Sequence, residues 1–177
     1  MKSSVVSVVS LNYVGLIGII TLMLLSPDCA LAGRREGARG VTTWSKTIPA
    51  INETHLFQGY VNKKGDPVGF HSRPGGRDPG VARVTAVMDP PNKAGVYAAR
   101  VEILAPGRRW LSKQSTFFPD KMTRGEVVQA IVHAYQHRTT GNSVKFSGPS
   151  GKGFTIEGYL LTDGRINTAF PVYRRDQ

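Results

Sequence analysis

The sequence predicts an α+β fold with an antiparallel sheet and one prominent helix, on three observations. Residues 124–138 place apolar side chains on one arc at 100° per residue, and Thr123 and Glu126 have the spacing of a capping box. Residues 154–161 and 165–173 alternate in polarity around an Asp-Gly turn, which is typical of a hairpin. Other alternating segments precede the helix, so strands and helices do not alternate as they do in a parallel fold.

The remaining elements follow from local patterns. Strands are predicted at residues 81–88 and 96–104. The second strand places Val96, Ala98 and Arg100 on one face and Tyr97, Ala99, Val101 and Ile103 on the other. Residues 41–51 predict a short helix or turn, and residues 146–153 predict a glycine-rich loop. Gly141 is the expected stop of the long helix.

The first 32 residues predict a cleaved secretory signal. Lys2 precedes an apolar run at residues 13–25, and Ala30-Leu31-Ala32 has the A-x-A form of a cleavage site. An uncleaved anchor is the alternative, but the run is shorter than the roughly 20 residues that span a bilayer. We therefore predict cleavage after Ala32, a secreted or periplasmic location, and no stable membrane association after cleavage.

Composition limits the chemistry of the remaining chain. Residues 33–40 are basic and glycine-rich and predict a flexible N-terminus, which leaves residues 41–177 as one domain. Cys29 is the only cysteine and lies in the predicted signal, so thiol nucleophiles, cysteine-ligated zinc and disulfides are excluded from the mature chain. The formal net charge of +11 favours a polyanionic partner, either nucleic acid or an anionic surface.

Two of the four histidines lie in the predicted helix. His133 and His137 have the i, i+4 spacing that can bind zinc, but they lie opposite the apolar arc and lack an evident third ligand. Solvated positions are the favoured interpretation, and contact with an RNA backbone is the alternative.

His55, His71 and Lys93 lie on three short segments broken by glycine and proline, which can bring distant side chains onto one surface. Two imidazoles and an ammonium suit cleavage of an RNA phosphodiester by its own 2'-hydroxyl without a metal, through a base, an acid and a charge on the phosphorus. The alternative is that these are loop histidines and a surface lysine without a catalytic role. Spacing alone does not rank Lys93 above Lys113.

Other motifs are less specific. Residues 148–153 do not match a Walker loop, so a flexible turn and a phosphate-contacting loop both remain open. No G-x-S-x-G motif supports a serine hydrolase. Thr168 and Phe170 follow one another closely on a strand and could hold an RNA base by stacking and edge contacts, or Phe170 could be core.

Several motifs occurring in order resemble the bacterial EndoU endoribonucleases, which are related to the eukaryotic EndoU enzymes and the coronavirus uridylate-specific endoribonuclease. The matching segments extend over about residues 52–172 and read THLFQG, GFHSRPGG, NKAGVYAARVEI, KQSTFFPDKM and DGRINTAFP.

The resemblance implies a small EndoU-like fold and an RNase, metal-independent or manganese-stimulated, that cuts at uridines and leaves a 2',3'-cyclic phosphate. It assigns the catalytic roles to His55, His71 and Lys93, with Lys93 matching better than Lys113. Substrate-binding residues on this basis are Thr168, Phe170, Lys113, Ser115 and Thr116. Relatives often carry Tyr at the position of Phe170, which retains stacking but removes a phenolic hydroxyl.

The expected partner is therefore single-stranded, uridine-containing RNA. Many bacterial relatives are toxin modules neutralised by an immunity protein, which makes such an inhibitor a second expected partner. Two alternatives remain: a cationic module that binds RNA or another polyanion without chemistry, and an inactive toxin-like domain recognised by an immunity protein.

Overall fold

A computed structural model describes residues 41–142 and 144–176. The predicted signal at residues 1–32 and the basic segment at 33–40 lie outside the described residues, so both remain predictions. Within the described part of the chain, no helix has the length and apolar character needed to cross a bilayer.

The described residues form two α-helices and nine strands. The helices are α1 (Glu53–Phe57) and α2 (Arg124–Gln136). The strands are β1 (Tyr60–Val61), β2 (Pro67–Val68), β3 (Ala82–Asp89), β4 (Tyr97–Leu104), β5 (Trp110–Phe117), β6 (Thr140–Gly141), β7 (Lys145–Pro149), β8 (Thr155–Leu160) and β9 (Ile166–Pro171).

The strands pair with antiparallel neighbours in three sheets, and an isolated parallel bridge joins Ile51 to Ile166 of β9. β1 pairs with β2, β3-β4-β5 form a three-stranded meander, and β6-β7-β8-β9 form a four-stranded meander. Short connections between consecutive strands favour this arrangement because an antiparallel pair needs only a tight turn. The predicted α+β class with one main helix is confirmed.

Two apolar cores lie behind the sheets. In the first, α2 buries Val127, Ile131 and Ala134 against the four-stranded sheet, which contributes residues such as Phe146 and Ile156. In the second, β4 packs Tyr97, Ala99, Val101 and Ile103 with Phe70 and Phe117. The burial of alternate residues in β4 confirms the predicted alternation, and the structure decides which of the two faces is buried.

The long helix begins where its capping box predicts. Thr123 Oγ1 accepts the Glu126 N–H at 3.3 Å, and Glu126 Oε2 accepts the Thr123 N–H at 2.9 Å. The helix ends at Gln136, before the predicted Arg138, and Gly141 lies in β6 instead of ending the helix.

Two local predictions need correction. Of the helix or turn predicted at residues 41–51, the helix is wrong: residues 46–49 form a bend, Trp44 forms an isolated bridge to Asn52, and α1 begins only at Glu53. The first half of the predicted loop at 146–153 is strand β7. The glycine that suggested a loop there, Gly148, instead lets the strand approach α2, because a Cβ atom at this position would overlap the Ala134 carbonyl oxygen.

Candidate active site

His55 is positioned by the capping of a one-turn helix. Asn52 is the N-cap of α1, and its Oδ1 accepts the His55 N–H at 2.9 Å. Asn52 is itself held on β9, since its N–H donates to the Ile166 carbonyl at 3.0 Å and its side chain donates to Asn167 at 3.2 Å. The C-terminal hairpin therefore fixes the start of the helix that carries His55.

His71 is tied to the same helix through its main chain. The N–H of Phe70 donates to the His55 carbonyl at 2.8 Å, and the N–H of His71 donates to the Leu56 carbonyl at 2.8 Å. Gly69 permits this approach because its φ is +79° and a Cβ atom there would overlap the His55 carbonyl oxygen. On its other side, the His71 carbonyl accepts the Phe118 N–H at 2.9 Å.

These contacts bring the two imidazoles together. The ring centroids of His55 and His71 lie 5.9 Å apart with an interplanar angle of 23°. Phe170 packs 5.4 Å from the far side of His71, and Tyr60 meets His55 edge-on at 5.6 Å. The histidines retain only 7% and 9% of their accessible surface, so most of each side chain is shielded from solvent.

A chain of hydrogen bonds from β5 supports His71. Lys113 Nζ donates to Ser115 Oγ at 2.8 Å and to the Gly69 carbonyl at 3.0 Å. Ser115 Oγ donates to the Phe70 carbonyl at 2.9 Å and lies 3.2 Å from His71 Nδ1. His71 Nδ1 also lies 3.0 Å from the Thr116 carbonyl.

That carbonyl assigns the tautomer of His71. A carbonyl oxygen only accepts hydrogen bonds, so we assign the proton of the neutral ring to Nδ1. Nε2 then carries a lone pair. This is the form that a general base requires.

Burial and charge act together on the titrating groups. Burial, and next the ammonium of Lys113, lower the pKa of His55 to about 4. Burial, Lys113 and His55 lower the pKa of His71 well below its usual value, against a smaller raising effect of the Thr116 carbonyl. Burial lowers the pKa of Lys113 to about 8. Both imidazoles are therefore neutral near pH 7, while most Lys113 side chains remain charged.

Comparison with known proteins places this site in a family. The family model described as Bacterial EndoU nuclease matches residues 50–173. The chain belongs to the bacterial EndoU nucleases. A protein named Toxin from Bacillus cereus is 32% identical over 117 residues, which are 66% of this chain and 21% of that protein. The match spans about a fifth of the relative. No solved structure matches.

Within this EndoU domain, the lysine beside the histidines is Lys113. Lys93 donates its main-chain N–H to Asp176 at 2.8 Å and lines a separate cleft with Lys121 and Lys152. In the described part of the chain, the electrostatic neighbours of the histidines include Lys113 and not Lys93. The geometry therefore favours Lys113 over Lys93 for the predicted charge on the phosphorus.

The other predicted substrate-binding residues divide by type of contact. Ser115 and Thr116 both contact Nδ1 of His71, Ser115 through its hydroxyl and Thr116 through its carbonyl. Phe170 lies beside the histidine pair, and Thr168 lies two residues earlier on β9. Thr168 Oγ1 is buried and has no hydrogen-bond partner among the described residues.

Two residues of the EndoU site were missed from the sequence. Asn52 is three residues before His55, which is the spacing of an N-cap and its acceptor bond, so this signal was present in the sequence. Tyr60 contacts His55 through the turn after α1. No local pattern indicates that contact.

The second histidine pair is a surface feature of α2. The rings of His133 and His137 stack at 4.1 Å, and each Nδ1 lies 3.0 Å from a carbonyl, of Pro149 and of His133 respectively. Within residues 41–142 and 144–176, no group of three or more His, Cys, Asp or Glu side chains is placed to hold a metal ion. The i, i+4 spacing therefore gains no third ligand in this region.

Proposed function

We propose that this EndoU nuclease is a secreted endoribonuclease that cuts single-stranded RNA at uridines and leaves a 2',3'-cyclic phosphate. The observation that carries the proposal is the pair of imidazoles, with ring centroids 5.9 Å apart, beside a partly buried ammonium. The formal charge of +11 supports an RNA substrate, because cationic surfaces attract the phosphate backbone.

In this mechanism His71 is the base. Its Nε2 takes the proton of the 2'-hydroxyl, and the 2'-oxygen forms a bond to phosphorus. His55 donates a proton to the 5'-oxygen as the bond from phosphorus to that oxygen breaks. Lys113 balances the charge that accumulates on the nonbridging oxygens in the phosphorane. Ser115 and Thr116 hold the ring of His71 in the tautomer that the base requires.

The acid role requires a proton that His55 lacks in the free protein at neutral pH, because burial and Lys113 lower its pKa to about 4. A bound phosphate brings negative charge next to both groups. Opposite charge favours the protonated imidazole, so substrate binding raises the pKa of His55. Protonation of the acid is thereby coupled to the presence of RNA.

Thr168 and Phe170 are the proposed uracil contacts. The unpartnered Thr168 Oγ1 supplies a hydroxyl for a base edge, and the Phe170 ring beside His71 supplies a stacking surface. Phenylalanine retains the stacking of the tyrosine that relatives often carry at this position. It has no hydroxyl with which to read a second edge of the base.

The proposal is tested by incubating the purified chain with a defined uridine-containing RNA in EDTA and determining the end groups. We expect a 2',3'-cyclic phosphate, with the positioned acid and base contributing about 10²- to 10⁴-fold each. His55→Ala and His71→Ala should each lose that factor while the circular dichroism of the folded chain is retained. Repeating the assay with added manganese tests the predicted stimulation.

His137→Ala, on the exposed side of α2, is the matched control and should cleave at the wild-type rate. Wild-type rates in folded His55→Ala and His71→Ala variants would refute the assignment. RNA that is bound in a salt-sensitive manner but stays intact after long incubation would support the alternative of a binding module.

The named relative also supports a more specific proposal, which is a role as a toxin. The Bacillus cereus protein is called a toxin, and this chain matches about a fifth of its length. We infer that RNA cleavage harms a target cell and that an immunity protein protects the producer. Co-purification of a tight acidic partner that blocks cleavage would agree with this inference.

A further inference from the structure

A second cationic site lies in a cleft that the reaction does not use. The cleft has a volume of about 370 Å³ and is lined by Lys93, Lys121 and Lys152, with Phe154, Met122 and Pro119 as its apolar part. Binding sites for small ligands typically have about 300 to 1,000 Å³. The space is therefore sufficient for one nucleotide unit.

Each lysine is carried by a segment whose main chain is held in place. Asn92 Oδ1 accepts the N–H groups of Ala94 and Val96 at 3.1 and 3.0 Å, which folds the turn around Lys93. Ser150 Oγ accepts the N–H groups of Lys152 and Phe154 at 3.1 and 3.3 Å, which folds the glycine-rich loop.

Contacts between the segments shape the cleft. A Cβ atom at Gly95 would lie 3.0 Å from the side chain of Pro119, so the turn around Lys93 packs directly on that residue. Met122 donates its N–H to the Pro119 carbonyl at 2.9 Å, which bends the segment that carries Lys121. The segments that carry the three lysines are therefore held in place by hydrogen bonds or by packing.

The charge of the cleft remains positive after its acidic neighbours are counted, since its three lysines face two carboxylates, Glu126 in the lining and Asp176, which accepts the Lys93 main-chain N–H at 2.8 Å. Glu126 is the acidic residue of its lining, and its Oε1 lies 3.8 Å from Lys152 Nζ. Exposed pairs of this kind contribute little. The other oxygen of Glu126 caps α2 through Thr123. Among the described residues, Lys93 and Lys121 have no carboxylate within 4.0 Å of their ammonium groups.

An apolar residue of the cleft packs against a residue that contacts the main chain of His71. Phe154 is partly exposed and packs edge-on against Phe118 at 6.0 Å. Phe118 donates its N–H to the His71 carbonyl, and Pro119 is the next residue. The cleft therefore begins one residue beyond a direct contact with the reaction centre, and it offers an aromatic ring together with three cations.

We propose that this cleft is a second nucleotide-binding site for the RNA strand, in which Lys93, Lys121 and Lys152 contact backbone phosphates and Phe154 contacts a base or sugar. Rings and cations together are the usual means of holding single-stranded RNA without reading its sequence. The inference rests on the proposed RNA substrate. It assigns a binding function to Lys93 and to the glycine-rich loop.

The test compares two triple variants of the full chain that remove equal charge. One carries Lys93→Gln, Lys121→Gln and Lys152→Gln. The control carries Lys46→Gln, Arg108→Gln and Arg109→Gln, which are exposed and lie outside the lining of the cleft. Affinity is measured by fluorescence anisotropy with an oligonucleotide blocked by 2'-O-methyl groups, so that no cleavage is needed.

The cleft variant should bind the oligonucleotide roughly tenfold more weakly than the control. Its slope of log K against log salt should be shallower by about 2, because each phosphate that a lysine no longer neutralises reduces the slope by about 0.7. In the cleavage assay, kcat/KM should fall more for a long RNA than for a dinucleotide too short to reach the cleft. Each of the three single variants should show part of the effect. The single variants therefore test the proposal if the triple variant does not fold.

Equal affinities and equal salt slopes for the two variants would overturn the cleft proposal. They would instead favour an acidic protein surface as the partner of the three lysines. The proposed nuclease fails on a different observation, which is intact RNA with the wild-type chain. Loss of binding in the cleft variant combined with uncleaved RNA would refute the nuclease and support the cleft.

Discussion

Lys113 illustrates how a single residue acquires a role from its surroundings. In the sequence it is one of many lysines, but folding partly buries its side chain, and Nζ donates to Ser115 and to the Gly69 carbonyl. Burial lowers its pKa to about 8. Its charge also lowers the pKa of both histidines. One ammonium thus lowers the pKa of both imidazoles and, in the proposed mechanism, also balances charge on the phosphorane.

We predict that Lys113→Gln reduces kcat by about 10²- to 10³-fold, the loss typical of removing one transition-state donor. Lys93→Gln should reduce kcat far less, because Lys93 lies in the separate cleft. In the wild type, kcat/KM, which reports the free enzyme, should fall more steeply as the pH rises above about 8, where Lys113 loses its proton. Steady-state kinetics from pH 5 to 10 test both points; a larger kcat loss in Lys93→Gln would return the role to Lys93.

At the scale of elements, the packing of α2 on the four-stranded sheet depends on a glycine. Gly148 brings β7 so close to α2 that a methyl group would overlap the Ala134 carbonyl. Gly125 lies in the exposed first turn of the same helix, where an added Cβ atom would meet nothing within 4 Å. The same substitution therefore has opposite expected effects at the two positions.

Gly148→Ala should lower the free energy of unfolding by about 1 to 3 kcal/mol, the usual cost of overpacking. Gly125→Ala should raise it by up to about 1 kcal/mol, because alanine is the better helix former. Urea unfolding followed by circular dichroism measures both. Equal effects of the two substitutions would contradict the close approach of β7 and α2.

For the whole molecule, the buried histidines link stability to pH. The pKa of His55 is about 4 in the folded chain, against 6.5 as its ordinary value. The unfolded chain therefore binds the proton more readily. The stabilisation from neutral His55 is fully present above pH 6.5 and is lost as the pH falls through about 4. His71 acts in the same direction.

We predict that the protonation of His55 removes about 3 kcal/mol of unfolding free energy between pH 7 and pH 4. His55→Gln should abolish this contribution, so its stability should fall less over the same range than that of the wild type. His137→Gln, on the exposed side of α2, is the control. Urea titrations at both pH values measure the difference, and parallel falls in the wild type and His55→Gln would show that burial of His55 is not linked to protonation.

The sequence by itself determined the elements whose signals are local. The capping box at Thr123, the Asp-Gly turn before β9 and the alternation of β4 each depend on neighbours within a few residues, so pattern alone predicted the α+β class. The ordered motifs around His55 and His71 likewise indicated the family, which the match over residues 50–173 confirms.

Only the tertiary structure decided which groups meet. The polar sequence of β5 did not predict a strand. The pairing of β5 with β4 brings Lys113 close to His71, which is 42 positions away in the chain. The same folding places Lys93 with Lys121 and Lys152 in a cleft. Spacing could not separate the two lysines, because contacts between distant segments depend on sheet register and on close approaches such as that at Gly69, and local sequence specifies neither.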